Sequence, residues 1–269
     1  MPKEAPLRAL KRGDLVVEEI KRWIAERRLG PGDKLPKEEE LQALFGVSKG
    51  TAREALKSLE VQGLVRISTG PAGGATIGAV PLERALQLLQ NYLFFHELDV
   101  AQIYAVRRLL EPELAAGAVP HLTEEHFAAL DRCIATCAPH PANPEQALAQ
   151  RQEDLHFHDV LADANPNLLL RFMCQVINHL LRYSVAMGDP NHPAAHKLGE
   201  TNVAAHRRLL AAARRRDANR VRKLMVEHVD EAERHVNRLA AAVRQRFMLE
   251  SELRPSISLE PAVRKERGQ

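Results

Sequence analysis

The chain has 269 residues, of which 45% are hydrophobic and 27% are charged, so it can bury a substantial core. Its length predicts two domains rather than one. The formal net charge of +3 at pH 7 and the pI near 8.8 are only mildly basic. They exclude a strong overall positive field, so any binding of nucleic acid must depend on the local placement of charge.

Cysteine usage and apolar runs indicate the compartment. The three cysteines are odd in number and lie in apolar helical contexts, which favours free buried thiols over a disulfide framework. Met1 precedes charged and proline residues instead of an apolar signal core, and no apolar run approaches the roughly 18 residues that span a bilayer. We therefore expect a cytoplasmic protein without a membrane anchor.

The first elements in chain order are three helices. Residues 14–28 carry apolar side chains at helical spacing before the turn at Gly30, and residues 38–45 predict a short second helix that Gly46 ends. Ser48 is a good N-cap for a third helix. The predicted inner stripe of that helix consists of Ala52, Ala55, Leu56 and Leu59. Because the turn is so short, the second and third helices must cross steeply, as in a helix-turn-helix that reads the major groove.

The outward N-terminal end of the third helix carries hydroxyls and cations, which suit phosphate oxygens and base edges. The predicted DNA contacts there are Ser48, Lys49, Gly50, Thr51 and Arg53. Residues 64–67 and 75–77 flank a turn-rich segment and predict a small β-hairpin, which would form a wing. A helix-turn-helix pattern alone is equally typical of a helical hairpin in a globular core. The order helix, turn, helix and wing favours DNA binding.

These residues resemble the winged helix of GntR-family transcription regulators in the runs LPKEEELQALFGVS and TAREALKSLEVQGLV, which a glycine-bearing wing follows. The residues that the resemblance implies face DNA are Ser48, Lys49, Thr51 and Arg53. It also implies that the wing tip near Gly70 enters the minor groove. The chain departs from many members at Lys37, where they carry serine, and at Glu39, where they carry arginine. These departures concern one helix N-cap and one contact to phosphate or base.

After a polar, glycine-containing join at residues 78–81, the sequence predicts an all-helical domain over 81–249, because apolar residues recur every three to four positions without strand alternation. The winged domain would then occupy 1–80, and the polar tail 250–269 is predicted to be flexible. The fold class is mainly α. The helices are predicted near 82–96, 99–117, 123–137, 143–164, 166–187, 198–215 and 218–248.

The helical domain contains a set of inward-facing polar residues. Asp154 and His158 are four residues apart, which places both side chains on one helix face, about 40° from each other. His206 and His228 lie in apolar stripes on either side of Asp217, which is halfway between them in sequence and follows three arginines that suit a helix C-terminus. A turn with Asp217 as N-cap would bring the two histidines level across a helical hairpin.

Any one of these histidines alone is more simply a satisfied core residue. Together, one inward carboxylate and three inward imidazoles would be costly without partners, and they make a good site for a divalent transition metal between facing helices. Zinc is the first choice, with nickel, manganese and iron as alternatives. The predicted ligands are Asp154, His158, His206 and His228.

The second half is also similar to the FCD domain, the helical effector-binding module of the FadR subfamily of GntR regulators. The similarity lies in the runs IYAVRRLLEPELAAGA, EDLHFHDVLADANPN and AHRRLLAAARRRDANRVRKLMVEHV, over roughly residues 82–240. It implies that the same four residues hold a divalent ion and that a small organic acid binds beside it. Arg107 lies beside an inward apolar stripe. It would either bind the acid's carboxylate or form a buried salt bridge with Glu111, and the resemblance favours binding of the acid.

We therefore interpret the sequence as a homodimeric regulator, a repressor in the first instance, that binds double-stranded operator DNA and responds to a small organic acid. Two alternatives come from other classes. The metal ligands could serve a metal-dependent enzyme, although no general base or nucleophile stands out beside them. The chain could also be an architectural DNA-binding protein with a purely structural bundle.

Overall fold

The computed structural model describes residues 12–70, 73–93, 95–96, 98–186 and 193–240. The chain folds into two compact units, Met1–Leu88 and Leu89–Gln269. The boundary expected from the sequence lies a few residues earlier, between residues 80 and 81. The tail expected at 250–269 lies outside the described residues.

The first unit contains three complete helices, a two-stranded antiparallel sheet and the start of a fourth helix. Its elements are α1 (Arg12–Glu26), α2 (Glu38–Phe45), α3 (Lys49–Gln62), β1 (Val65–Ser68) and β2 (Gly74–Ile77). In the sheet Val65 pairs with Ile77 and Ser68 pairs with Gly74. This order confirms the predicted helix-turn-helix followed by a β-hairpin wing.

The core of this unit forms where α1, α3 and the hairpin meet. Ile20 of α1, Leu59 of α3 and Val65 of β1 are each at most 3% exposed and belong to one apolar cluster. The predicted inner stripe of α3 is buried along its whole length. The eight-residue helix α2 buries Leu41, whereas Leu44 is 54% exposed because only one narrow face of so short a helix packs against the core.

Local capping explains where these helices begin and end. The Ser48 hydroxyl accepts a hydrogen bond from the Thr51 backbone N–H at 3.2 Å and so caps α3, as predicted. Gly46 ends α2 with φ 60°, a left-handed conformation that favours glycine. Lys37 has no acceptor to cap α2. Instead, the Glu40 carboxylate accepts from the Lys37 backbone N–H at 3.0 Å.

The rest of the described chain is helical. Its helices are α4 (Leu82–Leu93), α5 (Val100–Ala118), α6 (Glu124–Cys137), α7 (Pro144–Ala164), α8 (Leu168–Ala186), α9 (Pro193–Arg214) and α10 (Ala218–Ala240), with a 3₁₀ turn at Val119–His121. The prediction of a mainly α protein is therefore confirmed. Among the described helices, none is both long enough and apolar enough to cross a bilayer.

Helix α5 packs against α7, α8 and α10, and α10 packs against α9, so α5 lies at the centre of the second unit. The reversal between α9 and α10 falls at the predicted turn, where the Asp217 carboxylate accepts from the Arg220 backbone N–H at 2.9 Å. This N-cap fixes the start of α10. It sets the register in which α9 and α10 meet.

Candidate metal centre and DNA interface

The predicted DNA-facing surface lies at the start of α3. Ser48, Lys49, Gly50 and Arg53 are exposed, and Thr51 is half-buried. The Arg53 side chain is 61% exposed, and its Nε donates to Glu38 Oε1 of α2 at 2.5 Å. Spacing along the chain does not indicate this ion pair, because it depends on how steeply α2 and α3 cross. Gly70, at the predicted wing tip, has φ 112° and follows β1.

Three buried histidines meet inside the second unit, one each from α7, α9 and α10. His158 Nε2 lies 3.3 Å from His206 Nε2 and 3.2 Å from His228 Nε2. Each of the three residues is at most 2% exposed. Their ligand atoms all lie within 4.8 Å of one another.

Packing fixes the orientation of these rings. His206 stacks on Phe157 with ring centroids 3.9 Å apart and the planes 5° from parallel. Across the α9–α10 hairpin the centroids of His206 and His228 are 4.9 Å apart, so the two residues lie level on either side of the turn. Chain reversal at Asp217 is therefore what brings residues distant in sequence to one point.

Asp154 lies beside His206, at the edge of this group. Its Oδ1 is 3.6 Å from His206 Nδ1, and its Oδ2 accepts from Asn202 Nδ2 at 2.7 Å. Among the described residues, the buried Oδ1 has no hydrogen-bond donor. Burial raises the pKa of Asp154, and both His158 and the Asn202 hydrogen bond oppose that rise. Asp154 thus keeps one carboxylate oxygen unsatisfied next to the histidines.

Glu111 of α5 orients His158. Its Oε2 lies 3.1 Å from His158 Nδ1, and its Oε1 accepts from Arg107 Nε at 2.8 Å. Burial alone would raise the pKa of this carboxyl, but Arg107 and His158 outweigh burial and lower it to about 2. The ionised carboxylate favours a proton on Nδ1, which leaves the Nε2 lone pair directed at the other histidines. This carboxylate–histidine arrangement is typical of metal sites.

Arg107 forms the buried salt bridge that the sequence offered as the alternative to an effector contact. Its side chain is 3% exposed and that of Glu111 is 1% exposed. Its guanidinium also lies 3.0 Å from His158 Nε2 and 3.3 Å from the Tyr104 hydroxyl. Arg107 therefore links the ion pair, the histidines and the tyrosine. One N–H group of Arg107 lies against His158 Nε2, the nitrogen that would bind a metal ion.

The electrostatics favour neutral imidazoles. Burial lowers the pKa of His206 and of His228 well below the ordinary value, and positive charge nearby lowers each of them further. A neutral imidazole has the lone pair that a metal requires. Both residues are therefore in the protonation state of a ligand at neutral pH.

The geometry fits a small divalent ion. In a tetrahedral site with metal–nitrogen bonds of about 2.0–2.1 Å, ligand nitrogens lie about 3.3 Å apart. The two Nε2–Nε2 separations from His158 are 3.3 and 3.2 Å. Three imidazole nitrogens, a carboxylate behind one of them and an unsatisfied oxygen of Asp154 form a donor set that suits zinc and its neighbours.

A cavity of about 370 Å³ opens beside this group. Arg107, Asp154 and Asn202 line its inner wall together with Tyr104. Other parts of the cavity are lined by the α6–α7 loop, which includes His140, and by α9, which includes His196. The imidazoles of His140 and His196 stack with centroids 4.6 Å apart. The cavity therefore meets the candidate metal site through a buried cation, Arg107, and a partly buried carboxylate, Asp154.

Comparison with known proteins identifies both units. Residues 13–72 match the model described as bacterial regulatory proteins, gntR family, and residues 102–231 match the FCD domain. The chain belongs to the GntR family. Within that family it carries a C-terminal FCD domain, as the sequence predicts.

Relatives and solved structures of the GntR family agree with this assignment. The HTH-type transcriptional repressor NanR of Edwardsiella tarda is 28% identical, with 84% of this chain and 85% of that protein aligned. NanR of Escherichia coli K12 is 26% identical, with 84% of each chain aligned. The solved structure of Streptococcus agalactiae GntR has a TM-score of 0.57 at 23% identity, covering 82% of this chain and 99% of that one, and so shares the fold.

These matches establish a DNA-binding transcription regulator. The family models and the relatives describe regulators rather than enzymes, so the chain is not assigned a catalytic role. Sequence reasoning missed two residues beside the predicted ones. Glu38 pairs with Arg53, and Glu111 contacts His158 as well as its expected partner Arg107. Both contacts join different helices and have no signature in sequence spacing.

Proposed function

We propose that this regulator is a repressor whose affinity for operator DNA is controlled by a small organic acid, bound next to a divalent metal in the helical unit. The observation that carries the proposal is the meeting of three buried histidines at ligand distance, with Asp154 and Arg107 between them and the cavity. A purely structural core would not need three buried imidazoles with their ring nitrogens directed at one another. Such a group is stabilised when an ion accepts their lone pairs.

In this proposal His158, His206, His228 and Asp154 hold the ion, and zinc is the first choice. Nickel, manganese and iron suit the same donors. When bound, the ion would supply positive charge that attracts an organic carboxylate. Glu111 keeps the Nε2 lone pair of His158 directed at that ion, and Phe157 holds the ring of His206 in place.

Arg107 would then contact the effector. If His158 Nε2 held an ion, Arg107 would lose its hydrogen bond to that nitrogen, while the salt bridge to Glu111 would keep the guanidinium in position. The freed N–H group would be available to a ligand in the cavity that Arg107 lines. A carboxylate in the cavity can therefore bind the ion and the guanidinium together. Binding of this kind shifts the bundle between shapes that differ in affinity for DNA.

At the other end of the chain, the start of α3 would contact the operator in the major groove, through Ser48, Lys49, Gly50, Thr51 and Arg53. The wing tip at Gly70 would contact the minor groove.

Repression is proposed because the aligned relatives are named as repressors. A homodimer would present two such heads to the half-sites of a palindrome. Large apolar side chains exposed on α5 and α8, at Leu109, Leu168 and Leu169, are consistent with a protein interface. We place the protein in the cytoplasm, with the DNA.

The test is His206→Ala in the full chain. We expect the affinity of the protein for metal to fall by roughly a hundred-fold or more, since loss of an outer partner of a ligand already costs about 10–100-fold. Response to organic acids should disappear, while operator binding without effector should survive. Metal analysis and electrophoretic mobility shift measure the two properties. His121→Ala is the matched control, because His121 is exposed and outside the cluster.

Normal metal loading in His206→Ala would remove His206 from the site. Loss of operator binding together with metal would point instead to a structural ion. Turnover of an organic acid by the metal-loaded protein, abolished by His228→Ala, would revive the enzymatic alternative.

A further inference from the structure

A second group of metal-ligating side chains lies between α6 and α7. Cys133 of α6, together with Glu153 and His156 of α7, offers one sulfur, one oxygen and one nitrogen that all lie within 4.8 Å of one another. None of these three residues belongs to the histidine site. In the described part of the chain, these two groups are the ones with three such ligand atoms in reach.

The two helices dictate this arrangement. Glu153 and His156 are three residues apart, so they project from one face of α7. Helix α6 packs along α7 and places Cys133, which is 1% exposed, against that face. The His156 side chain is 50% exposed, so an ion can enter from solvent on its side. The group thus has one buried soft ligand and an open outer edge.

Of the two cysteines of α6, Cys133 is the available one. The Cys137 thiol donates to the Gln150 backbone carbonyl at 3.2 Å, one turn further along. The Cys133 sulfur instead lies within 4.8 Å of a Glu153 carboxylate oxygen, where the thiol can donate to the carboxylate. A thiol–carboxylate hydrogen bond alone needs only those two residues. The imidazole of His156 adds a third donor that such a hydrogen bond does not require.

We propose that Cys133, Glu153 and His156 form a second metal site, which binds a thiolate-preferring divalent ion of the zinc class and leaves its outer position to water. A thiolate, an imidazole and a carboxylate are the donors that zinc takes in proteins. The bound ion replaces the proton of the Cys133 thiol, and that proton passes to solvent. No electron is transferred.

The site would act on the effector cavity through the loop between its two helices. Residues Ala138, Pro139 and His140 of the α6–α7 loop line that cavity. An ion on these residues would tie together α6 and α7, the two helices that flank the loop. Occupation of this site would therefore set the mobility of one wall of the cavity, whichever ligand the cavity takes.

The test uses Co²⁺ alone as the probe in the full-length His228→Ala variant, in which the histidine site has lost a ligand. We expect a near-ultraviolet thiolate-to-cobalt absorption band that saturates at one ion per chain. His156→Ala in the same background should weaken Co²⁺ binding by more than about ten-fold and remove most of the band. Because His156 is half exposed, this substitution leaves the core intact. Cys133→Ser should abolish the band.

Cys174→Ser is the matched control, since Cys174 is 0% exposed and outside the cluster, and its band should equal that of the parent. Circular dichroism checks the fold of each variant. A folded, reduced His228→Ala protein without the band would overturn the proposal, and so would a band that survives Cys133→Ser or is unchanged in His156→Ala. The result does not depend on the histidine site, because only a cysteine ligand produces this band.

Discussion

The two units place their functional residues in opposite environments. In the winged unit the predicted DNA-facing residues lie at the start of α3 and at the wing tip, and those on α3 are mostly exposed. In the helical unit the candidate site takes residues from α5, α7, α9 and α10, and its histidines, Arg107 and Glu111 are at most 3% exposed. The predicted DNA contacts are thus largely separable from folding, whereas the candidate metal site is part of the core. Substitutions in the two units should differ in kind.

The largest expected effect is that of Glu111→Ala. Glu111 pairs with Arg107 in the interior, and removal of one partner leaves a buried guanidinium without its carboxylate. Breaking such a pair costs about 3–5 kcal/mol of unfolding free energy. Urea unfolding followed by circular dichroism measures this loss, which should fall on the helical unit and leave the winged unit's stability unchanged.

Glu113→Ala is the control for this effect. Glu113 accepts from Arg222 Nε at 2.6 Å, but the two side chains are 58% and 39% exposed. Solvent screens exposed pairs of this kind, so they contribute little to the free energy of unfolding. Equal destabilisation by Glu111→Ala and Glu113→Ala would contradict the contrast between a buried and an exposed network.

The same contrast explains what could be predicted from sequence. The winged unit follows from local signals, such as the cap at Ser48 and the stop at Gly46, because each element is decided by its near neighbours. In the helical unit the level placement of His206 and His228 follows from the turn at Asp217. The contact between Glu111 and His158 could not be predicted, because it depends on how α5 sits against α7. The cavity has the same origin in helix packing.

A smaller effect is expected in the winged unit for Arg53→Ala. If the Arg53 guanidinium leaves Glu38 to contact a base, its loss should weaken operator binding by about 1–3 kcal/mol, or roughly 5–150-fold. Metal content and the unfolding free energy should stay as in the parent, because the side chain is 61% exposed. Fluorescence anisotropy with a labelled operator measures the affinity.

The control here is Arg22→Ala on α1. The Arg22 side chain is 63% exposed and pairs with Glu19 of the same helix. It removes the same charge from the same unit, away from α3. Equal operator affinity in Arg53→Ala and the parent would count against α3 as the reading helix. Equal weakening by both variants would indicate a general effect of charge rather than a specific contact.

The smallest effect is expected for Ser48. Its side chain caps α3 and also lies on the predicted DNA-facing surface. Its hydroxyl caps α3 by accepting from the Thr51 N–H, so Ser48→Ala should cost about 1 kcal/mol of unfolding free energy. Aspartate and asparagine cap as well as serine does. Ser48→Asn should therefore restore the stability of the winged unit, and so should Ser48→Asp.

The two capping variants separate the roles of Ser48, because aspartate adds a negative charge that phosphate repels and asparagine does not. If Ser48 faces the DNA backbone, Ser48→Asp should bind the operator several-fold more weakly than Ser48→Asn at equal stability, and added salt should narrow the gap. Thermal unfolding and anisotropy titrations at two salt concentrations measure both quantities. Equal affinities of the two variants would make Ser48 a cap alone, and the DNA-facing surface would then begin at Lys49.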